Sequence, residues 1–291
     1  MRHARILQEL GCSVAVVSRR DHASITTYGE IGDAVLNHRP DYVVIANETA
    51  LHHDELVRLA ATGYQGTVLL EKPLFECVKP MPENQFQALR IAYNLRFHPV
   101  ILRLKSLLED QNILSVHCYV GQYLPGWRPE TDYRHSYSAQ SKMGGGVLLD
   151  LSHDLDYLNW MLGDWQKVSA LGGQLSQLEI TSDDIFTLLL SFGQCPIAAV
   201  QLNYLDRRGR RSLIVNTAHH TYEADLVSNK IFIDKTEETF NVQRDDTYRS
   251  MHAALLRGEF ESLCSLSEAL STLKLISASR QSATNQEWVK Q

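Results

Sequence analysis

The chain has 291 residues, of which 44% are hydrophobic and 21% are charged, an ordinary balance for a globular protein. The formal net charge is −6 and no long basic run occurs, which argues against a nucleic-acid-binding surface. No stretch approaches the roughly 20 apolar residues that span a bilayer, the N-terminus lacks a signal-peptide core, and the five cysteines are dispersed. We therefore expect a cytoplasmic protein without a membrane segment, disulfide framework or metal site.

The first 73 residues alternate between helical and strand patterns. Apolar residues at helical spacing predict helices at 2–10, 30–38 and 53–62. Short apolar runs, the type buried in parallel sheets, predict strands at 13–18, 42–46 and 67–70. This alternation predicts a parallel, doubly wound sheet.

Strand patterns dominate from about residue 112, after an irregular segment at 74–85. Strands are predicted at 113–120, 185–192, 197–204, 212–217, 222–227 and 230–234. Helices are predicted at 97–109, 147–162, 246–257 and 266–281. Strands this close in sequence favour an antiparallel sheet covered by helices on one face. We divide the chain into a nucleotide-binding domain at 1–95 and a substrate and oligomerisation domain at 96–291.

Glu71-Lys72-Pro73 directly follows the apolar strand pattern TVLL. The carboxyl end of such a strand is where an open parallel sheet builds its ligand crevice. A lysine at this point can stabilise the oxyanion that develops when a hydroxyl-bearing carbon loses hydride. Taken alone, the tripeptide fits such a functional site and a surface turn with an exchangeable ion pair equally well.

A glycine run precedes a second polar cluster, in GGGVLLDLSHDLDYLNW at 144–160. On a continuous helix, Asp150, His153 and Tyr157 gather on one side, away from a leucine stripe. Such a cluster offers an imidazole for proton transfer, with a carboxylate one turn away to orient it. The alternative is an ordinary acidic helix start beside a surface histidine.

These motifs, in this order, resemble the Gfo/Idh/MocA family, named for glucose–fructose oxidoreductase and inositol dehydrogenase. The resemblance extends through nearly the whole chain and depends on five segments: RHARIL at 2–7, VVIAN-x4-H at 43–52, EKP at 71–73, YNLRFHP at 93–99 and GGGVLLDLSHDLDYL at 144–158. It implies an NAD(P)-dependent oxidoreductase that acts on a sugar, a cyclitol or a sugar derivative. It also implies a homodimer or homotetramer formed through the C-terminal sheet.

The resemblance assigns catalytic roles to three residues. Lys72 would lie between cofactor and substrate, His153 would move the hydroxyl proton, and Asp150 would orient His153 or the substrate. Many members separate the acid and the histidine by four positions, whereas the gap here is three. YNLRFHP would bring Asn94 and Arg96 near the cleft as substrate-binding residues, together with Tyr157.

The cofactor and substrate contacts combine pattern with resemblance. Candidate cofactor-binding residues lie at the ends of the predicted strands: Ser18, Arg19, Arg20, Ala46, Asn47, His52, Glu71 and Lys72. The run Ser18-Arg19-Arg20 stands where an NAD enzyme usually has an acid for the ribose hydroxyls, and its two cations favour NADP over NAD. The alternative is a solvated basic strand end. In the loop 121–142, Trp127 and Arg128 could hold a substrate or only pack the loop, as could Tyr133 and Arg134.

A dinucleotide-binding fold opens with a strand and a glycine-rich turn before its first helix. This chain begins in what resembles that first helix and contains no G-x-G-x-x-G. We expect roughly a dozen residues upstream of Met1, continuing the same reading frame. The alternative is a natural truncation that has lost cofactor binding, which an in-frame stop codon directly before Met1 would indicate.

Two other functions remain open from the sequence. Some members of the family cleave glycosidic bonds through transient oxidation by a tightly held NAD. A chain without the glycine-rich turn could instead bind a sugar or a partner protein without redox chemistry. The basic cluster of Arg207, Arg208, Arg210 and Arg211 is interpreted as a charged hairpin turn, with phosphate binding as the alternative.

Overall fold

The computed structural model describes residues 1–20, 22 and 24–291. Its helices alternate with strands at first and later cover one large sheet. The α-helices are α1 (Arg2–Glu9), α2 (Ile31–His38), α3 (His52–Ala61), α4 (Pro99–Leu108), α5 (Val147–Asp150), α6 (Ser152–Leu162), α7 (Asp246–Arg257) and α8 (Leu266–Asn285). None of the helices in the described part of the chain is both long and apolar enough to cross a membrane.

The strands belong to two small sheets and one large sheet. Those of the small sheets are β1 (Ala15–Val17), β2 (Thr26–Tyr28), β3 (Tyr42–Ile45), β4 (Thr67–Leu70), β5 (Ala88–Ile91) and β14 (Cys264–Ser265). Those of the large sheet are β6 (Ile113–Gly121), β7 (Trp165–Gly173), β8 (Ile185–Phe192), β9 (Cys195–Asn203), β10 (Arg210–Thr217), β11 (Thr221–Asp225), β12 (Lys230–Ile233), β13 (Thr236–Thr239) and β15 (Val289–Lys290).

The N-terminal part is built from parallel strands, as predicted. Strand β1 pairs with β2 in parallel, and β3, β4 and β5 form a parallel sheet in that order. Because β3 and β4 are adjacent and parallel, their carboxyl ends meet at one edge, which places Ala46 and Asn47 beside Glu71 and Lys72. The short strand β14 returns from the C-terminal half and pairs antiparallel with β5.

The large sheet has nine strands in the order β13-β12-β11-β10-β6-β9-β8-β7-β15. All neighbouring pairs are antiparallel except β6 and β9, which run in parallel. Helix α8 packs against β7 and against α6, so the helices cover one face of the sheet. The opposite face exposes apolar side chains, among them Leu171, Leu189 and Ile197. The fold class predicted from the sequence, an α/β region followed by a mainly antiparallel sheet, is confirmed.

The predicted helix at 147–162 is in fact interrupted. Helix α5 ends at Asp150, Leu151 has φ −95° and ψ 19°, and α6 starts at Ser152. In a continuous helix the carbonyl oxygen of Asp150 would accept from the amide of Asp154. That amide instead bonds the carbonyl of Leu151, and the Asp150 carbonyl accepts from the Lys72 ammonium at 2.7 Å. The break therefore frees a backbone oxygen for the lysine.

Candidate active site

The Glu71-Lys72-Pro73 turn is held in place by His52. Its ring nitrogens lie 3.0 Å from the Pro73 carbonyl oxygen and 3.2 Å from that of Asn47. The side chain is buried, and burial lowers its pKa despite these backbone contacts. The ring of His52, predicted to bind cofactor, contacts the backbone of the turn that carries Lys72.

Lys72 lies between the two parts of the fold. Its ammonium donates to the carbonyl oxygen of Asp150, which ends α5 of the second part. Burial lowers the pKa of Lys72, although the charges of Asp150 and Glu71 oppose that shift. Among the described residues the ammonium makes one hydrogen bond, so it has further protons to donate to a ligand.

His153 is the second polar group at this junction. Its ring packs edge-on against Tyr93, with centroids 5.5 Å apart. Burial, and then the positive charges of Lys72 and Arg211, lower its pKa well below the usual value, so the imidazole is neutral at pH 7. Its Nδ1 atom is buried and has no hydrogen-bond partner in the described part of the chain. A neutral ring with a free nitrogen can accept a proton or a ligand hydrogen bond.

Asp150 is bound by a tyrosine, whereas the sequence suggested a pairing with His153. The hydroxyl of Tyr204 donates to Asp150 Oδ2 at 2.6 Å. Trp127 packs edge-on against Tyr204 with a centroid distance of 5.3 Å. Burial raises the pKa of the neighbouring Tyr137, and the charge of Asp150 adds to that shift whereas the charge of Arg128 opposes it. Trp127 and Arg128, from the predicted substrate loop, therefore lie at the edge of the same cluster.

Tyr157 does not point into this cluster as a free ligand-binding group. Its side chain is fully buried, and its hydroxyl donates to Asp154 Oδ1. The sequence-based prediction assumed one continuous helix, whereas the helix is interrupted at Leu151. Tyr157 is instead the hydrogen-bond donor that supports Asp154.

Asp154 and Arg211 are site residues that the sequence interpretation missed. Asp154 is fully buried, and an Nη2 atom of Arg211 lies 3.3 Å from its Oδ2. Burial raises the pKa of Asp154, against the opposing effects of Arg211 and Tyr157. Arg211 was placed in a charged hairpin turn, but it lies in β10. The alternation of side chains along a strand could have indicated this position, because Arg211 lies on the same face as the apolar Leu213 and Val215, which are buried.

Arg96 and Asn94 are not available to a substrate, which corrects a second expectation. Arg96 is buried, donates through Nε and Nη2 to both oxygens of Asp156, and donates through Nη1 to Glu268 at 2.9 Å. Burial alone would lower the pKa of Arg96, but these carboxylates raise it. Asn94 is buried and donates to the hydroxyl of Thr247. Arg96 thus links α6 and α8, and Asn94 binds α7.

Glu71 begins a chain of hydrogen-bonded side chains that leads away from Lys72. One oxygen accepts the Lys72 amide at 3.0 Å, and the other lies 2.7 Å from His3 Nε2. His3 Nδ1 lies 2.9 Å from His252 Nε2, and His252 Nδ1 lies 2.8 Å from the Tyr42 hydroxyl. Burial would raise the pKa of Glu71, but His3 and Lys72 lower it. Glu71 is therefore a structural anchor for the turn.

The other predicted cofactor residues lie at strand ends. Asn47 follows β3, and its Oδ1 atom is buried without a hydrogen-bond partner among residues 1–20, 22 and 24–291. Ala46, just before it, is exposed. Arg19 and Arg20 are exposed after β1, and the Arg20 amide donates to the Ser18 hydroxyl at 3.0 Å.

Comparison with known proteins gives a family match for part of the chain and a fold for nearly all of it. Residues 101–223 match the family model described as the GFO/IDH/MocA C-terminal domain. Levoglucosan dehydrogenase of Pseudarthrobacter phenanthrenivorans is 21% identical over 238 residues, which are 71% of this chain and 60% of that protein. The chain thus spans about 60% of the length of this curated relative.

Two solved structures have the same fold over nearly the whole chain. An oxidoreductase from Thermotoga maritima has a TM-score of 0.81 at 18% identity and covers 99% of this chain and 93% of its own. Levoglucosan dehydrogenase in complex with NADH has a TM-score of 0.83 at 14% identity, with 99% and 95% covered. Residues 101–223 thus match the C-terminal domain of the Gfo/Idh/MocA family, and nearly the whole chain has the fold of these two solved structures.

Proposed function

We propose that this protein is a nicotinamide-dependent oxidoreductase that transfers a hydride to or from a hydroxyl-bearing carbon of a sugar, cyclitol or sugar derivative. One observation carries the proposal. The Lys72 ammonium, at the carboxyl end of β4, meets the α5–α6 junction that presents His153. A family relative named levoglucosan dehydrogenase, solved with NADH, supports both the substrate class and the cofactor.

The side chains have distinct roles in this proposal. Lys72 donates a hydrogen bond to the oxygen of the reacting carbon and stabilises the negative charge that develops on it. His153 is neutral at pH 7 and accepts the hydroxyl proton on a ring nitrogen. Asp150 holds Lys72 through its backbone carbonyl, and Tyr204 fixes its carboxylate. Asp150 is thus a positioning residue for Lys72.

The residues at the strand ends fit a nicotinamide cofactor. When bound, it supplies the acceptor or donor of the hydride. Asn47 Oδ1 is a buried acceptor beside the lysine turn, and it suits a ligand group that donates, such as a carboxamide or a ribose hydroxyl. The preference for NADP stays a prediction from Ser18, Arg19 and Arg20, since the relative was solved with NADH.

The test is oxidation of a panel of sugars and cyclitols with NAD and with NADP, followed by nicotinamide absorbance. Lys72→Met should lower kcat by about 10²- to 10³-fold, because a preorganised donor to the developing oxyanion is lost. The exposed Lys235→Met is the matched control and should keep wild-type rates. Turnover by Lys72→Met at the wild-type rate would contradict the proposal. Cofactor-free sugar binding without turnover would favour the non-redox alternative.

We also propose that the open face of the large sheet pairs subunits into a dimer or tetramer. Leu171, Leu189 and Ile197 on β7, β8 and β9 are 72%, 50% and 61% exposed. Apolar side chains grouped on one sheet face are typical of an interface. Sedimentation of the wild type and of Leu189→Lys tests this, and a monomeric wild type would contradict it.

A further inference from the structure

Arg211 has hydrogen-bonding capacity that the protein does not use. Its Nε atom is buried, yet within the described residues it has no hydrogen-bond partner, and neither has Asp154 Oδ2. The two side chains meet only as an ion contact of 3.3 Å between Nη2 and Oδ2. An arginine paired with a carboxylate usually donates two parallel hydrogen bonds. This guanidinium is therefore held near the site but not saturated.

Other polar side chains belong to the same cluster. Asp154, which contacts Arg211, directly follows His153 in α6. The charge of Arg211 lowers the pKa of His153, His98 and Lys72, in each case after the larger effect of burial. Lys72 uses one proton for the Asp150 carbonyl, and His153 Nδ1 has no partner across the described ranges. His98 bonds Asn229 at 3.1 Å and is engaged. On the opposite side, Asp154 is bound by Tyr157.

We infer that Arg211 binds an anionic substituent of the substrate, a carboxylate or a phosphate. The inference rests on the proposed function and names the substrate class: a sugar acid or a sugar phosphate. The planar guanidinium matches the geometry of both groups, and its exposed fraction of 23% lets a ligand reach it. The Lys72 ammonium keeps donor capacity at the α5–α6 junction, and the carboxylate that Arg211 contacts, Asp154, already has a donor in Tyr157.

An anion at this place would also act on the proposed proton acceptor. The positive charge of Arg211 contributes to the low pKa of His153. A bound carboxylate or phosphate offsets that charge and raises the pKa of His153 toward the working pH, where an imidazole transfers protons best. Substrates without the anionic group would leave the imidazole a weak base.

The first experiment measures binding without turnover. D-glucose, D-glucuronate and D-glucose 6-phosphate are titrated calorimetrically into the full chain, with and without NADH. We expect at least one anion to bind about tenfold or more tightly than glucose, as hydrogen bonds to charged groups predict. The acid and the phosphate identify which anion is preferred. Equal affinity for all three sugars, or no binding of either anion, would overturn the inference.

Variants of Arg211 distinguish anion binding by the guanidinium from an effect on folding. Arg211→Lys keeps the charge but removes the planar fork, and Arg211→Gln with Asp154→Asn removes both charges so that no carboxylate is left unpaired. Both should lose about tenfold in anion affinity, with glucose affinity nearly unchanged. Arg210→Gln, exposed on the same strand, is the control. Unchanged anion binding in both Arg211 variants would refute the inference.

The two proposals fail in different ways. Anion binding that depends on Arg211, without any nicotinamide-dependent turnover, would support the anion site but contradict the proposal that the protein is an oxidoreductase. Turnover of neutral sugars that is insensitive to Arg211→Lys would support the oxidoreductase proposal but contradict the anion site.

Discussion

Helix α6 meets two arginines in opposite ways. Asp156 is bound by Arg96, whose three donor atoms are all used by Asp156 and Glu268. Asp154, two residues earlier, meets Arg211 through a single ion contact that leaves Arg211 Nε without a partner in the residues described. At about 100° per residue, the two aspartates point to nearly opposite sides of the helix. One side therefore builds a closed polar cluster, and the other an open one.

The difference teaches how one helix serves both stability and function. A buried ion pair whose hydrogen bonds are all made is costly to break, because the remaining charge has no water and no partner. A buried donor without a partner costs stability unless a ligand completes it. We interpret the closed Arg96 cluster as structural and the open Arg211 cluster as ligand-binding.

The largest expected effect is on the closed cluster. Arg96→Met should lower the free energy of unfolding by about 3–5 kcal/mol, since the buried Asp156 loses its cation and keeps only the weak thiol donor of Cys264. Denaturant unfolding measures this. The matched control is Arg103→Met, which removes a half-exposed bidentate pair with Glu238 and should cost at most about 1 kcal/mol. Equal losses for both would show that the Arg96 cluster does not stabilise through burial.

The open cluster should tolerate the same change better. Arg211→Met should lower the free energy of unfolding by about 1–2 kcal/mol, because Asp154 keeps its Tyr157 donor. The measurement is the same denaturant titration, run beside Arg96→Met. A loss as large as that of Arg96→Met would mean that Arg211 is structural, and the comparison between the clusters would fail.

The pH dependence sharpens the comparison at Asp154. Burial raises its pKa, so its stabilising contribution is present below the unfolded-state pKa of about 3.9 and is lost as the pH rises through the folded-state value. Asp154→Asn removes that loss. Relative to wild type, its unfolding free energy should therefore rise with pH by up to about 1.4 kcal/mol per pH unit within this window. Unfolding titrations between about pH 4 and 8 test the slope, and a falling difference would contradict the shift.

The smallest expected effect concerns the helix that supplies Glu268. The Ser265 hydroxyl accepts from the Glu268 amide, and the Glu268 carboxylate accepts from the Ser265 amide at 2.8 Å, which forms a capping box at the start of α8. Ser265→Ala should cost about 1 kcal/mol by thermal unfolding. The exposed Ser250→Ala in α7 serves as control. A loss well above that of a cap would show that Ser265 also supports the Arg96 cluster.

Much of the fold was predictable because its signals are local. The strand at 67–70 and the helix at 246–257 agree with the structure to the residue, since apolar periodicity and flanking turn residues mark them. Strands β5 and β7 were missed, because ALRI follows an irregular segment and WQKVSALGG has polar residues in its pattern. The strand β14 has two residues, and only its pairing with β5 defines it.

The candidate site divides in the same way. The sequence by itself determined the fold class, the family resemblance and the two motifs that contain Lys72 and His153, because these depend on residue order within short segments. Tertiary structure alone decided that Arg96 is consumed by Asp156, that His52 binds the lysine turn, and that Arg211 meets Asp154. Those contacts join residues far apart in the chain, as does the contact of Lys72 with the Asp150 carbonyl at the break between α5 and α6. The role of a polar side chain depends on which of its hydrogen-bonding atoms still lack a partner after the chain has packed. A short sequence pattern cannot predict this.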